Sequence, residues 1–516
     1  MKSTELRWLA GISALAMTFG ALLLAPSPVG ATKHPRYGGT LRIELHVATL
    51  SLDPREWKPG SVAAADSERL AGLVYDRLVT LDEYGRFQPG LATEWSHDAS
   101  ARNWQFKIRS GVKFSDGTPL TGKDVLAALQ PLLPTGLTVS GGENNVAIHS
   151  QRPTADLLEQ LASGRYFIYR AQAGNGLVGT GPFVVAEAVP AAPSEANSSV
   201  LKPAHLKFRA NEECWAGRPF LDAIDVMLGD PALRQMLNLQ VGRAELIDIS
   251  PDLVRKARQE NLRVWSSAPD TLLALRFDEA QPATGDARLR EALDMSLDRE
   301  TMANVLLQRQ AIPAAGLLPQ WLSGYAFLFG SGMNLERAKE LRAELPANVA
   351  GGTEALRMRV DAVGDVMKLL GERVAVNARQ ANLSVQSAPH TVGGGGTAAS
   401  LPSGLHLFAW HYDSLSPRAE LQEIAQHLHA EPATDVTNDS SDPERLFAEE
   451  RQLLETRRIL PLLLLPEYVG IATNVRNWSV APNGEWRLAD VWLETGPGAS
   501  SGEASVEPGG GRGVHP

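Results

Sequence analysis

The sequence predicts a mixed α/β protein built in several lobes, and three observations carry that expectation. The chain has 516 residues, room for about three domains at roughly 150 residues each. Its composition is 44% hydrophobic and 21% charged, which is enough apolar material for well-filled cores. Away from the two ends, runs that alternate apolar and polar residues interleave with segments at helical spacing, as when mixed sheets are flanked by helices. The net charge of −10 leaves no basic face for a phosphate backbone, so nucleic acid is not an expected partner. A single cysteine, Cys214, excludes an internal disulfide and any all-cysteine metal site.

The first elements are at the ends. Lys2 and Arg7 precede the uncharged stretch Trp8 to Leu24, and Val29-Gly30-Ala31 offers small residues for cleavage. Residues 1–31 are therefore expected to be a signal peptide, cleaved after about Ala31, which places the mature chain in the periplasm. An uncleaved anchor is the alternative, because the apolar stretch reaches the lower limit of a spanning helix. No cysteine lies near the site, so a lipoprotein is not expected. Residues 497–516 read as a disordered tail, and Gly393 to Gly396 as a flexible loop without the Lys and Ser or Thr of a phosphate loop.

Between the ends, Leu41, Ile43, Leu45 and Val47 alternate with polar residues as a half-buried strand, and Leu70, Leu73, Val74 and Leu78 recur at helical spacing. Trp104, Phe106 and Ile108 mark a second strand, followed by a turn at Ser115-Asp116-Gly117. Thr121 and Asp124 are spaced as a capping box for a helix through Leu129. Further helices are expected at Asp286 to Leu293, Asn334 to Leu345 and Pro443 to Arg457, the last leading into a buried strand, Ile459 to Leu465.

A set of ordered blocks then becomes specific. Gly38-Gly39-Thr40-Leu41-Arg42 and Leu52-Asp53-Pro54 are followed by Val74-Tyr75-Asp76-Arg77-Leu78-Val79, Pro89-Gly90-Leu91-Ala92-Thr93-Glu94-Trp95 and Gly111-Val112-Lys113-Phe114-Ser115-Asp116-Gly117-Thr118-Pro119. Later come Gly179-Thr180-Gly181-Pro182-Phe183, Trp215 through Ile224, and Arg288 through Leu293 with Asp298-Arg299-Glu300. In this order the chain resembles the family 5 extracytoplasmic solute-binding proteins of ABC importers, which serve peptides and nickel.

The resemblance implies a periplasmic-binding-protein-like two-lobed fold of class II with an extra third domain. Lobe I would comprise residues 32–48, 177–266 and 474–496, with the extra domain, 49–176, attached to it. Lobe II would span 267–473, with crossings near Arg263 to Asp278 and Thr473 to Trp478. It implies a receptor that closes over a small solute, a short peptide first, and delivers it to an inner-membrane permease, as a monomer without a cofactor. In peptide-binding members a segment Trp-x-x-Asp-Tyr-x-Asp-Pro places an aspartate against the ligand's ammonium, and Trp410-His411-Tyr412-Asp413-Ser414-Leu415-Ser416-Pro417 is similar to it. Asp413 is accordingly the first candidate for ligand binding, since a buried ammonium needs an opposite charge. Trp410, Tyr412 and His411 are candidates beside it, each also readable as core or surface. Thr49 and Ser51 lie in a segment that borders the cleft in relatives and could pair with an extended peptide, or form an ordinary loop.

Three departures leave the ligand open: the short, glycine-rich stretch Leu132 to Asn145, Asp278 where an asparagine is usual, and the stretch between Ala388 and Leu405. A nickel-chelate or haem carrier of the same family, or a sensor or chaperone without an importer, stays in view. His406, His411, His427 and His429 are of a type that suits Ni(II) or haem iron, but the helical reading of residues 420–430 points them apart, so they are expected to be solvated and no metal site is assigned. Catalysis is not expected. The only Gly-x-Ser-x-Gly match falls in the tail at Gly498 to Gly502, and no His-Glu-x-x-His occurs.

Overall fold

The computed structural model describes residues 34–172, 176–190, 192–193, 201–202, 204–278, 282–346, 356–361, 364–389, 404–428 and 442–494. The expected signal peptide, the glycine loop 393–396, His429 and the tail 497–516 lie outside them. Every secondary-structure element in these ranges belongs to one unit, Tyr37–Pro516. Among the described residues no helix is long and apolar enough to cross a membrane.

β1 (Thr40–Leu45) buries Leu41, Ile43 and Leu45, as its alternation predicts. α1 (Val62–Ala71) departs from the expectation, because the spacing of Leu70 to Leu78 suggests a helix that continues. It stops because the next carbonyls are needed elsewhere. Those of Leu73 and Val74 accept the N–H groups of Phe183 and Gly181, at 2.8 and 2.9 Å, and that of Asp76 accepts Ile168. The approach is so close that a Cβ on Gly179 would lie 1.9 Å from the Val74 oxygen.

β2 (Ala92–His97), β3 (Asn103–Ile108), β4 (Leu137–Gly141) and β5 (Asn145–Ser150) form an antiparallel sheet in the order β2-β3-β5-β4. β3 alternates strictly, with Trp104, Phe106 and Ile108 inside. α2 (Gly122–Leu129) opens on the Thr121–Asp124 capping box and packs on this sheet.

Apart from four short two-stranded pairs, the other described strands build one large sheet. They are β6 (Phe183–Val189), β7 (Ala204–Ala210), β8 (Ala223–Leu228), β9 (Leu246–Asp248), β10 (Arg263–Phe277), β11 (Leu356–Val360), β12 (Val385–Pro389), β13 (Leu405–His411) and β14 (Ile459–Ile471). With β1 they run in the order β6-β7-β8-β1-β9-β14-β10-β13-β11-β12, and Ile312–Pro313 beside β14 makes eleven. The helices are α3 (Ala232–Gln240), α4 (Val254–Gln259), α5 (Ala287–Ser296), α6 (Leu335–Glu344), α7 (Gly364–Gln380), α8 (Pro417–His427) and α9 (Pro443–Glu455). Asp286, Asn334 and Asp442 cap α5, α6 and α9 with their side chains, at the starts the sequence marks.

Among the described residues four cores pack on this sheet, and two of them are large. One gathers around Leu41, Ile43, Phe183 and Phe208, and the other around Leu275, Leu293, Leu370 and Leu407. β10 and β14 join them. Trp265, Val469 and Ile471 pack into the first core, while Leu273, Leu275, Leu460 and Leu463 pack into the second. Between these ends Pro269 stands opposite Pro466, with the register broken on either side of Pro269. Neither proline has an N–H, so both donors are missing from the ladder at this point. The sequence marks a return crossing at residues 473–478, whereas the strand that pairs with β10 is Ile459–Ile471.

Cys214 is a half-buried free thiol, which burial pushes up to about 11.

Replacing Gly179 with alanine should destabilise the protein by about 1–3 kcal/mol, the usual cost of forcing atoms into a filled site, read as a lower urea midpoint. A midpoint equal to wild type contradicts the close approach of residues 73–74 and 179–183.

Candidate functional site

Asp413 is the second residue past β13, and the local ladder explains its position. β13 pairs antiparallel with β10 from Leu405↔Phe277 to His411↔Thr271. The Tyr412 N–H then donates to the Asp270 carbonyl at 2.9 Å. The chain next turns into α8, where Ser416 accepts the Ala419 N–H at 3.1 Å and Pro417 occupies the first turn. Glu420, fully buried in that turn, holds the corner together. Its Oε1 accepts the N–H groups of Asp413 (2.8 Å) and Ser414 (2.7 Å), and its Oε2 accepts the Trp410 indole N–H (3.1 Å). Burial, with Asp413 and Glu423 nearby, pushes the Glu420 pKa up, and the donated hydrogen bonds oppose this.

Asp413 lies on the wall of a cavity of about 640 Å³. β4, the segment 150–166 and α8 enclose it, contributing Gln151, Asp156, Arg165, Tyr166, Arg418 and Glu423 among others. Arg165 bonds Glu423 through both terminal nitrogens and reaches Asp413 at 3.4 Å. Burial opposes its charge, but Asp413 and Glu423 keep its pKa above the usual arginine value. Behind this pair lies Glu68 on α1, pushed well up by burial and by Asp413. A Cβ on Gly164 would fall 2.1 Å from a Glu68 oxygen, so glycine is what lets this carboxylate approach. Arg77, the next cation, is engaged with Glu485 and the Ser163 carbonyl. Asp413 and Glu423 thus share one arginine at this end of the cavity, and Asp413 holds it by the longer contact.

The other sequence candidates lie elsewhere, off the cavity wall. Trp410 is buried, with Gly60 (φ +68°) against its ring so closely that a Cβ would fall 2.2 Å away. His411 is buried and its N–H donates to the Gly60 carbonyl at 2.9 Å, while burial lowers its pKa and keeps the imidazole neutral. The Tyr412 hydroxyl donates to the Leu317 carbonyl. Thr49 is exposed. Ser51 is half-buried, donates to Glu56 at 2.5 Å, and accepts the Asp53 N–H at 3.2 Å.

Nor do the described histidines converge. His406 is not solvated as expected but buried, 2.7 Å from Asp361 and 3.0 Å from Arg359. His427 packs on Phe408 and Trp410 at ring distances of 5.2 and 5.5 Å. Among the described residues, the ligand atoms that gather within 4.8 Å belong to Asp413, Glu420 and Glu423.

Sequence reasoning missed Arg165, Glu420 and Glu423. Ser416-Pro417 followed by an acid does signal a helix start, but not that Glu420 reaches back to Trp410.

A second charged group lies where the two cores meet. Arg69 bonds Asp66 at 2.7 Å and Glu467 at 2.6 Å. Asp248, whose carboxylate accepts the His46 N–H at 2.9 Å, is pushed up to about 7 by burial and by Asp66.

A family model described as the bacterial extracellular solute-binding proteins, family 5 middle region, matches residues 86–390. The chain belongs to this family. Curated family 5 relatives include the probable di/tripeptide-binding protein 5 of Pseudomonas aeruginosa, 24% identical over 302 residues, covering 50% of this chain and 55% of that one. A nickel-binding protein of Staphylococcus aureus is 23% identical over 348 residues, covering 64% and 65%. The chain spans about half the length of the first curated relatives it matches. Among solved structures, the murein tripeptide binding protein of Escherichia coli superposes with a TM-score of 0.74 at 17% identity, covering 88% of this chain and 98% of that one. A dipeptide binding protein from Pseudoalteromonas, in complex with Met-Leu, gives 0.73 at 15% identity, covering 88% and 100%. The fold is the periplasmic-binding-protein type that the resemblance implies.

Two outcomes test this corner and its supports. Glu420→Ala should cost about 2–4 kcal/mol, because three buried N–H donors lose their acceptor, while Glu420→Gln should cost less; matching chemical melts for the two variants contradict the clamp. Glu450, whose Oε1 accepts the Leu317 and Leu318 N–H groups, is pushed up to about 7 by burial. A carboxyl raised in the folded state gives stability that is full below about pH 4 and is lost as pH rises through 7. Glu450→Gln should therefore melt higher than wild type at pH 8 and close to it at pH 4; parallel curves contradict the shift.

Proposed function

We propose that this protein is the exported receptor of an ABC importer, which captures a short peptide between its halves and presents it to an inner-membrane permease. The observation that carries the reading is Asp413 on the wall of a cavity of about 640 Å³, where its contact with Arg165 is longer than that of Glu423. That volume is in the range of small-molecule sites. The α-ammonium of a peptide would take Asp413 from Arg165, which keeps its two bonds to Glu423. Trp410, His411 and Tyr412 would then hold Asp413 in place from behind, while Thr49 and Ser51, which do not line the cavity, are given no contact with the peptide.

The names of relatives support the class of cargo, since di/tripeptide-, tripeptide- and dipeptide-binding proteins recur among them. Closure would turn on the facing prolines of β10 and β14. Lobe I (32–48, 177–266 and 474–496) with its attached extra domain (49–176) would move against lobe II (267–473), and ligand would shift the population toward the closed form. Such a receptor performs no chemistry on its cargo and needs no cofactor. Residues 1–31 would direct export and be removed after about Ala31, leaving a periplasmic monomer without a lipid anchor.

Native mass spectrometry of the protein recovered from the periplasm tests the cargo. Short peptides released on denaturation are the expected result; a nickel chelate or a tetrapyrrole would move the protein to a carrier of that kind. For the site, Asp413→Ala should weaken binding of a free-amino peptide by about 2–5 kcal/mol, as when one partner of a buried charge pair is removed. Calorimetry in which wild type binds free and amino-acetylated peptides equally would overturn the role given to Asp413.

A further inference from the structure

One face of the molecule carries a surface that the binding site does not use. α3 buries Met236 and Leu239 against β9 and β14. Its opposite side is apolar too. Leu233, Leu237 and Val241, one turn apart, are 57%, 55% and 57% exposed. α4 lies beside it over the same small core, burying Val254 and Ala257, and the Gln240 amide ties the end of α3 to Glu260 at 2.7 Å.

The outward residues of this pair of helices are strongly basic. Arg234 on α3 and Arg255, Lys256 and Arg258 on α4 are exposed, as are Arg243 and Arg263 in the segments that follow the two helices, while the acids nearby are the half-buried Asp252 and the exposed Glu260, 4.0 Å from Lys256. Asp230 is buried at 3.4 Å from Arg234, and Glu245 is buried against Arg42. A chain of net charge −10 thus places several cations near an exposed helical stripe of aliphatic side chains.

We propose that the α3–α4 face docks on an anionic phospholipid surface. Charge complementarity carries the choice. Exposed arginines and lysines suit a plane of phosphates, which attracts them within about a Debye length of the surface. Leu233, Leu237 and Val241 add apolar contact of the kind that lets an amphipathic helix lie at the headgroup level. The stripe has no aromatic residue and stands on a convex helix, whereas protein interfaces concentrate their energy in Trp, Tyr and Arg seated in pockets. Docking here would hold the receptor at the membrane, where the importer of the proposed function resides, yet the inference does not depend on Asp413 or on the identity of the cargo.

Flotation of the full chain with vesicles tests it, comparing phosphatidylglycerol/phosphatidylcholine mixtures with pure phosphatidylcholine at 20 and 300 mM salt. The apolar residues 8–24 are common to every variant, so the reading is the headgroup-dependent part. Wild type should bind the anionic vesicles at least fivefold better, with most of the difference lost at high salt. The triple variant Arg255→Glu, Lys256→Glu and Arg258→Glu, and the pair Leu233→Glu and Leu237→Glu, should each abolish that difference while leaving thermal unfolding unchanged. Lys107→Glu, Lys113→Glu and Lys123→Glu, an equal charge change on another surface, should keep it. Equal binding to both vesicle types, retention by the α3 and α4 variants, or binding only when a membrane protein is present would overturn the proposal.

Discussion

The antiparallel pairing of β10 with β14 is the constraint on which the rest of the structure depends. These two strands are long enough to belong to both large cores, and their register shifts on either side of Pro269, which faces Pro466. A continuous ladder would make the two halves one stiff plate. Two facing prolines and the register shifts beside them interrupt that regularity at the joint between the two large cores. β10 in turn sets the register of β13, and thereby puts Asp413 two residues beyond the sheet and beside the joint. The position of the candidate site is a consequence of strand pairing.

Charge distribution around that site follows a different logic. Glu68, Asp413, Glu420 and Glu423 are crowded together, and burial pushes the pKa values of the three glutamates up. Glu420 offsets its cost by accepting three N–H groups, which makes it part of the scaffold. Asp413 and Glu423 share Arg165, and Asp413 has the longer and weaker contact of the two. A carboxylate whose counter-ion is held mainly by a neighbour is one from which an incoming cation can take over at modest cost. The same corner explains why Trp410 and Tyr412 matter without reaching the cavity: one bonds Glu420 and the other bonds the Leu317 carbonyl, so both brace the turn that presents Asp413.

Much of the fold was legible in the residues because local rules and tertiary demands agree there. β3 alternates with period two and is buried on that period. The Thr121–Asp124 box and the caps Asp286, Asn334 and Asp442 satisfy helix ends without help from distant parts of the chain. Where the two disagree, spacing misled. Leu73, Val74 and Leu78 lie at helical intervals, yet α1 ends at Ala71 because Gly181 and Phe183, more than a hundred residues away, take the carbonyls a longer helix would use.

By itself, then, the sequence determined the class of fold, most element starts, the ordered blocks that mark the family, and the candidacy of Asp413, since each of these rests on neighbours along the chain. Only the tertiary structure decided which carboxylate is a clamp and which faces a cavity, that Trp410, His411 and Tyr412 point inward, and that His406 pairs with Asp361 instead of solvent. It also brought together the apolar stripe of α3 and the cations of α4. The physical reason is the same in each case: burial, ion pairing and surface clustering depend on which residues meet across the sheet, and periodicity carries no record of a partner 100 or 250 residues away.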